Sequence, residues 1–255
     1  MQRMFLIKAI KQKKLIRLLN VTISKATFSV AKVKWENIRL EYSQLQRLPV
    51  DENNPPRNSR SVSGAIFSKT KPTPILNPKL ICVNESAMAS ELFWDYKDIT
   101  SNHLDEFVKV FSGNELFPNS VPFSHCYAGH QFGVFSGQLG DGRCISIGEH
   151  INPQSGKRAE LQLKGSGPTP YSRHADGRAV LRSSIREYLI SEHMHALRIP
   201  TTRSLSLIVS EASQALRDIN YSGNLQYEKC AILCRLAPSF IRFGSFQICH
   251  GVGIY

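Results

Sequence analysis

No stretch of this 255-residue chain reaches the ~18 to 20 consecutive apolar residues that a bilayer-spanning helix needs, so no membrane span is expected. The apolar runs near the amino terminus are broken by lysine every few residues, which excludes a secretory signal. His-Glu-x-x-His is absent, and His193 and His195 lie two apart, so a helix would point them to different faces. Cysteine is scarce: Cys82, Cys126, Cys144, Cys230, Cys234 and Cys249 are the only six. Cys230 and Cys234 stand four apart with no second pair to complete a zinc site. Without a secretory signal these thiols are expected to be reduced and mostly in the core. There is no internal repeat and no low-complexity tract. With 9% aromatic residues, 42% hydrophobic residues and 13 prolines, wholesale disorder is excluded. The length suits one large domain or two small ones with a substantial core.

Acidic residues are missing from one place in particular. The formal net charge is +12, which by itself invites a nucleic-acid or anionic-membrane reading. Residues 1–35 hold nine bases (Arg3, Lys8, Lys11, Lys13, Lys14, Arg17, Lys25, Lys32 and Lys34), and no acid occurs before Glu36. The remaining 220 residues carry 23 bases against 20 acids, so the globular part is nearly neutral and no nucleic-acid partner is expected for it. An acid-free leader with Ser24, Thr27 and Ser29 has the composition of a mitochondrial transit peptide. Met4, Ile7, Leu15 and Leu18 fall at roughly helical spacing, although Lys11 interrupts the stripe and lysine outnumbers arginine. Mitochondrial targeting, an exposed basic tail on a cytoplasmic protein, and a nucleic-acid arm all remain open for this segment.

Residues 48–78 read as an extended, proline-punctuated connection in which Pro55 and Pro56 forbid a helix. Ala65-Ile66-Phe67 and Ile75-Leu76 are candidate anchors to a core, with a plain linker as the alternative. Residues 87–94 can start a helix, and Leu104, Phe107, Val110 and Phe111 predict an amphipathic one over 102–111. Residues 127–142 hold five glycines, and 143–149 read as a strand. Asn152-Pro153-Gln154-Ser155-Gly156 is a turn. Residues 160–164 alternate strictly, with Leu161 and Leu163 on one face and Glu160, Gln162 and Lys164 on the other, polar face. Asp176 is a candidate N-cap for a helix to about Leu197, with Leu181, Ile185, Tyr188 and Leu189 as its apolar stripe. Residues 202–209 and 230–236 read as further strands around a turn at Tyr221-Ser222-Gly223-Asn224. The order strand, strand, helix, strand, strand predicts an α+β fold with a mostly antiparallel sheet.

Three features in this frame suggest a nucleotide site. Gly137-Gln138-Leu139-Gly140-Asp141-Gly142-Arg143 lets backbone amides approach phosphate oxygens, although a hairpin tip explains the glycines equally well. Lys164 ends a strand and Glu187 sits in the next helix, the logic by which a kinase small lobe fixes a phosphate-holding ammonium with a carboxylate. The alternative for this pair is a solvated edge lysine and a surface ion pair worth ~0 to 1 kcal/mol. Arg235 and Arg242 flank an apolar segment; their planar forks suit phosphate, and a surface location is equally open.

The same residues resemble a known family. Tyr127-Ala128-Gly129-His130-Gln131-Phe132-Gly133 with Gly137 to Gly142 is similar to the selenoprotein O family (the YdiU family in bacteria). So are Leu161-Gln162-Leu163-Lys164-Gly165-Ser166-Gly167-Pro168-Thr169-Pro170-Tyr171-Ser172-Arg173, Asp176-Gly177-Arg178, and Arg182-Ser183-Ser184-Ile185-Arg186-Glu187. Pro200-Thr201-Thr202-Arg203 and Phe240-Ile241-Arg242-Phe243-Gly244-Ser245-Phe246 extend the resemblance, which covers about residues 46–248. It implies a protein-kinase-like small lobe that binds ATP inverted and, with Mg²⁺, transfers AMP to Ser, Thr or Tyr hydroxyls of protein substrates. By motif match Gly140, Gly142 and Arg143 would lie at the nucleotide, Lys164 would hold phosphates and Glu187 would pair with it. Asp176 and Gly177 would contact the nucleotide, and Arg235 and Arg242 would contact phosphates. The expected layout is a basic leader over 1–35, an amino-terminal extension over 36–112, the small lobe over 113–248 and a divergent tail over 249–255. The resemblance places the catalytic aspartate and the Mg²⁺ ligands in a large lobe that this chain is expected to lack. A truncated, inactive form is therefore the expectation, with an ATP-binding fragment without catalysis and an ordinary protein kinase as alternatives.

Overall fold

The computed structural model describes residues 31–52, 59–118 and 120–251. Most of the basic leader, the Pro55-Pro56 pair and residues 252–255 lie outside the described residues. The chain from Lys32 onward is one compact unit.

In chain order the elements begin with α1 (Ser43–Arg47), β1 (Val50–Asp51), β2 (Phe67–Lys69) and β3 (Pro78–Val83). Next comes α2 (Glu85–Ala87), extended by a π-helical turn over Met88–Leu92. It begins where the Asn84 side chain accepts the Ala87 amide at 3.0 Å. Two short helices follow, α3 (Tyr96–Asn102) and α4 (Leu104–Phe111). Asp95 caps α3 by accepting the Lys97 and Asp98 amides, satisfying donors that a helix start leaves open. Helix α4 buries Phe107, Val110 and Phe111, as its spacing predicts, while Leu104 stays partly exposed.

The second half of the chain supplies β4 (Phe123–His125), β5 (Ala128–Gln131), β6 (Val134–Gln138), β7 (Cys144–Ile151), β8 (Arg158–Lys164) and β9 (Ala179–Val180). After these come α5 (Leu181–Ala196), the long hairpin β10 (Arg203–Asp218) and β11 (Leu225–Ala237), and α6 (Phe243–Gly251). Nine strands form one sheet in the order β1-β2-β4-β7-β8-β11-β10-β3, with β9 paired to β11. Among the described strands of this sheet only β1 and β2 run parallel; the other pairs are antiparallel. The α+β class and the mostly antiparallel sheet therefore agree with the sequence. The glycine-rich segment is itself a separate two-stranded hairpin, β5–β6.

The main core lies where Met88, Leu92, Trp94, Phe107 and Phe111 pack against Ile147, Leu161, Leu163, Leu205, Ile232 and Leu236 of the sheet. On the opposite face Leu181 and Tyr188 of α5 pack against Leu207, Ala231 and Leu233. Both faces of the central strands are thus covered, which corrects three sequence readings. Glu160 and Gln162 do not form a solvated polar face; both are fully buried and find partners inside. Lys164 is not an edge residue, because β8 lies between β7 and β11. Residues 48–78 are not a free linker: they supply β1 and β2, with Ile66, Phe67 and Ile75 buried, while Leu76 is exposed.

Helix α5 also differs from its reading. It begins at Leu181, because Ala179 and Val180 are extended and paired with β11. The N-cap position is Val180, so Asp176 is four residues too early to cap it. Ile185 and Leu189 are not part of a buried stripe; Leu189 is 63% exposed. The buried positions are Ser184 and Ser191, small residues that allow close approach to the sheet. Their hydroxyls are satisfied by Val180 O at 3.0 Å and Ser204 Oγ at 2.7 Å.

Candidate functional site

A cavity of about 920 Å³ opens where the ends of β7 and β8, the loop before β7, the loop before β9 and the β11 arginine meet. Eight of the nine predicted residues line it: Gly140, Gly142, Arg143, Lys164, Asp176, Gly177, Arg235 and Arg242. The ninth, Glu187, reaches the cavity wall through its ion pairs. The lining holds seven lysine and arginine side chains against two carboxylates, Asp141 and Asp176. Such an excess of cations in a concave site favours a polyanion.

Lys164 Nζ donates to Glu187 Oε2 at 2.5 Å. Arg235 Nη1 donates to the other carboxylate oxygen of Glu187 at 3.2 Å, so one glutamate from α5 orients two cations from neighbouring strands. Burial pushes the Glu187 carboxyl up, but the Lys164 bond and the Arg235 charge hold it below the usual carboxylate value. Arg235 is no surface residue: it is buried, bonds Gln162 and lies 5.0 Å from the Phe240 ring centroid. Its Nε has no hydrogen-bond partner among the described residues, an orphaned donor in a cavity wall. Arg242 is more open, placed 3.6 Å from Asp141 and over the Tyr127 ring at 4.9 Å. The Arg143 side chain lines the cavity with no ion pair to another described residue.

The glycines are needed for packing within the chain. A Cβ on Gly140 would stand 2.4 Å from the Tyr171 ring, and one on Gly142 would stand 2.9 Å from the Tyr171 carbonyl oxygen. The loop 139–143 is thus pressed against 169–172, where Thr169 Oγ1 donates to Asp141 O at 2.7 Å and Ser172 Oγ to Gly142 O at 2.5 Å. Gly177, at φ +68°, would place a Cβ 2.1 Å from the Gly167 carbonyl carbon, and its own carbonyl accepts the Gly167 amide at 3.0 Å. Asp176 accepts from Arg217 and from the Arg178 amide. The sequence reading missed Asp141, Arg173, Arg178 and Arg217 as cavity residues. Arg173 and Arg178 stand within the quoted strings, whereas Arg217 carries no local signal.

Among the described residues no group of three or more His, Cys, Asp or Glu side chains is placed to hold a metal ion. Asp141 is engaged by Gln162 Nε2 at 2.9 Å and Asp176 by Arg217, so the residues present do not by themselves fit the Mg²⁺ that the resemblance implies. All six cysteines are free thiols, four of them buried. No described helix is long and apolar enough to cross a membrane.

Fold and cavity together define an α+β chain with a cationic pocket built around a lysine–glutamate–arginine triad. The family model described as "Protein adenylyltransferase SelO" matches residues 57–252, and the chain belongs to that family. It is 54% identical over 204 residues to "Protein nucleotidyltransferase YdiU" of Azoarcus sp. (strain BH72), covering 80% of this chain and 38% of the relative. It is 49% identical over 216 residues to "Protein adenylyltransferase SelO, mitochondrial" of Mus musculus, covering 83% of this chain and 32% of that protein. The corresponding human protein is 46% identical over 232 residues, covering 89% and 34%. The chain thus spans about a third to two-fifths of the length of these curated relatives.

Proposed function

We propose that this chain binds ATP in the cationic cavity and forms the nucleotide-binding lobe of a protein adenylyltransferase. The observation that carries the reading is the triad Lys164–Glu187–Arg235 at the wall of a cavity with seven cationic side chains. A lysine on a central strand, its glutamate on the following helix and a glycine-rich loop between the preceding strands are the parts of a kinase-like small lobe. In this reading the extension is 36–112 and the lobe 113–248.

The residues act by holding phosphate. Lys164, fixed by Glu187, keeps two ammonium donors for phosphate oxygens. Arg235, Arg242 and Arg143 supply guanidinium groups that offset the triphosphate charge. Gly140, Gly142 and Gly177 let the two loops close into one wall. AMP transfer joins a protein hydroxyl oxygen to the α-phosphorus, breaks the bond from that phosphorus to the bridging oxygen, and releases pyrophosphate and the hydroxyl proton. Mg²⁺, when bound, offsets charge between phosphates; no described residue is assigned to it, and none is assigned as the base. The names of the mouse and human relatives, together with the acid-free leader, support a mitochondrial location; the bacterial relatives leave a cytoplasmic one as the alternative.

Calorimetric titration tests the binding step. ATP should bind more tightly than ADP, and ADP more tightly than adenosine, with affinity falling as salt rises. Equal affinity for all three would refute a triphosphate site. For catalysis, protein labelled from α-³²P-ATP and not from γ-³²P-ATP is expected of the full-length relative. The reverse pattern in that relative would favour a protein kinase, whereas ATP binding by this chain without either label would leave it an ATP-binding fragment.

A further inference from the structure

The resemblance implies that Asp176 touches the nucleotide, yet both of its carboxylate oxygens are bonded within the chain. Arg217 Nη1 donates to Oδ2 at 2.7 Å and Nη2 to Oδ1 at 2.8 Å, a bidentate pair from the far end of β10. The Arg178 amide donates to Oδ1 at 2.9 Å. Arg217 also donates to the carbonyl oxygens of Arg178 at 3.2 Å and Leu216 at 2.8 Å, so both terminal nitrogens are used. Arg178 is itself tied within the chain, donating to Thr73 O at 2.9 Å and Pro74 O at 3.0 Å. Burial pushes the Asp176 carboxyl up, and the Arg217 bond and the Arg178 amide more than offset this, so it stays charged beside the cavity.

The register explains how Arg217 reaches this loop. It lies opposite Gln226, beside the turn of the long hairpin, whose residues Tyr221, Leu225 and Tyr227 are exposed. A second tie, Arg182 Nε to Glu228 Oε1 at 2.6 Å, fastens the same hairpin to the first turn of α5. Arg217 is thus a strut between a projecting hairpin and the loop that carries Gly177, and it also lines the cavity.

We infer that Arg217 is a positioning residue for the nucleotide. Its fork neutralises Asp176 and fixes residues 176–178 as a cavity wall, so Asp176 serves the site through Arg217 and makes no phosphate contact of its own. This rests on the ATP reading above. Without Arg217 the cavity would present an uncompensated carboxylate to a triphosphate, and the loop would lose its outer anchor.

The test is ATP titration of the 255-residue chain and of R217A, R217K, D176N and the R217A/D176N double variant, each with a thermal melt. R217A should weaken ATP binding about tenfold, the size of a mid-range coupling between contacting charged groups, and adenosine binding much less. The double variant should bind ATP better than R217A, because the stranded carboxylate is gone. R217K keeps the charge without the fork, so it should fold like the wild type and still bind ATP more weakly; it answers the question if R217A does not fold. ATP affinity within twofold of wild type in R217A or R217K, with only the melting temperature lowered, would overturn the inference and leave Arg217 a structural strut. A double variant no better than R217A would overturn the neutralising role. Wild type that fails to bind ATP would overturn the ATP reading itself, and the inference with it.

Discussion

Lys164→Met is the perturbation that isolates the phosphate contact. Methionine keeps most of the side-chain length and removes the ammonium. Glu187 then still holds Arg235 at 3.2 Å, so no carboxylate is stranded. Lys164 and Glu187 are 21% and 25% exposed, between a surface pair worth ~0 to 1 kcal/mol and a buried pair whose rupture costs ~3 to 5 kcal/mol. With Arg235 remaining, the stability loss should sit near the low end, about 1 kcal/mol, or a fall of ~2 to 4 °C for a domain of this size. The loss of ligand affinity should be larger. A hydrogen bond between a charged group and phosphate contributes ~1.5 to 3 kcal/mol, which is roughly 10- to 150-fold in Kd. Calorimetry with ATP, ADP and adenosine at fixed ionic strength measures it. ATP and ADP should weaken by that factor, and adenosine should change less than about twofold. ATP affinity within twofold of wild type in a folded variant would refute the reasoning; an equal loss for adenosine would mean that the cavity had collapsed.

Three other outcomes follow from the same geometry. His125 Nε2 and Glu160 Oε1 lie 2.8 Å apart and fully buried. Burial opposes both charges, yet Glu160 raises His125 above its ordinary 6.5, and His125 with Ser146 and Gln44 brings Glu160 down to about 2. The His125 contribution is complete below about 6.5 and is lost as pH rises through its higher folded value; the Glu160 contribution is complete above about 4.5 and is lost as pH falls toward 2. Melting temperature should therefore be highest between those values, and His125→Ala should cost ~3 to 5 kcal/mol and flatten the alkaline limb in a calorimetric pH series. Gly177→Ala should abolish ATP binding and lower the melting temperature, since its Cβ would meet backbone at 2.1 Å; an unchanged Kd would contradict the close packing of 167 on 177. Arg242→Ala removes a side chain that is 44% exposed, so stability should change by no more than about 1 kcal/mol while ATP binds severalfold more weakly by titration.

What the sequence revealed and what it hid divide along the range of the interactions. Lys164 at a strand end, Glu187 on the next helix and the turn at 221–224 are local patterns, and each stands where its pattern puts it. Strands β1, β2 and β4 are only two or three residues long, too short for any periodicity, and exist through partners far along the chain. Glu160 and Gln162 alternate with leucines as a solvated face would, and only tertiary packing decides that both faces are covered. His125 and Arg235 then supply their partners. Asp176 has the position and chemistry of a cap, but its partner arrives 41 residues later. On α5 the apolar residues catch the eye, whereas the contact with the sheet is made beside small serines. At Gly140 and Gly142 the need for glycine is set by Tyr171, and at Gly177 by Gly167, none of them a neighbour in sequence.

The central claim is that ATP sits between the loop 139–143 and the loop 171–178, against Lys164 and Arg235. Hydrogen–deuterium exchange of the chain with and without millimolar ATP tests it directly. ATP should slow exchange in those two loops, and Lys164→Met should remove that protection. Unchanged exchange in both loops, or protection confined to another part of the fold, would contradict the account.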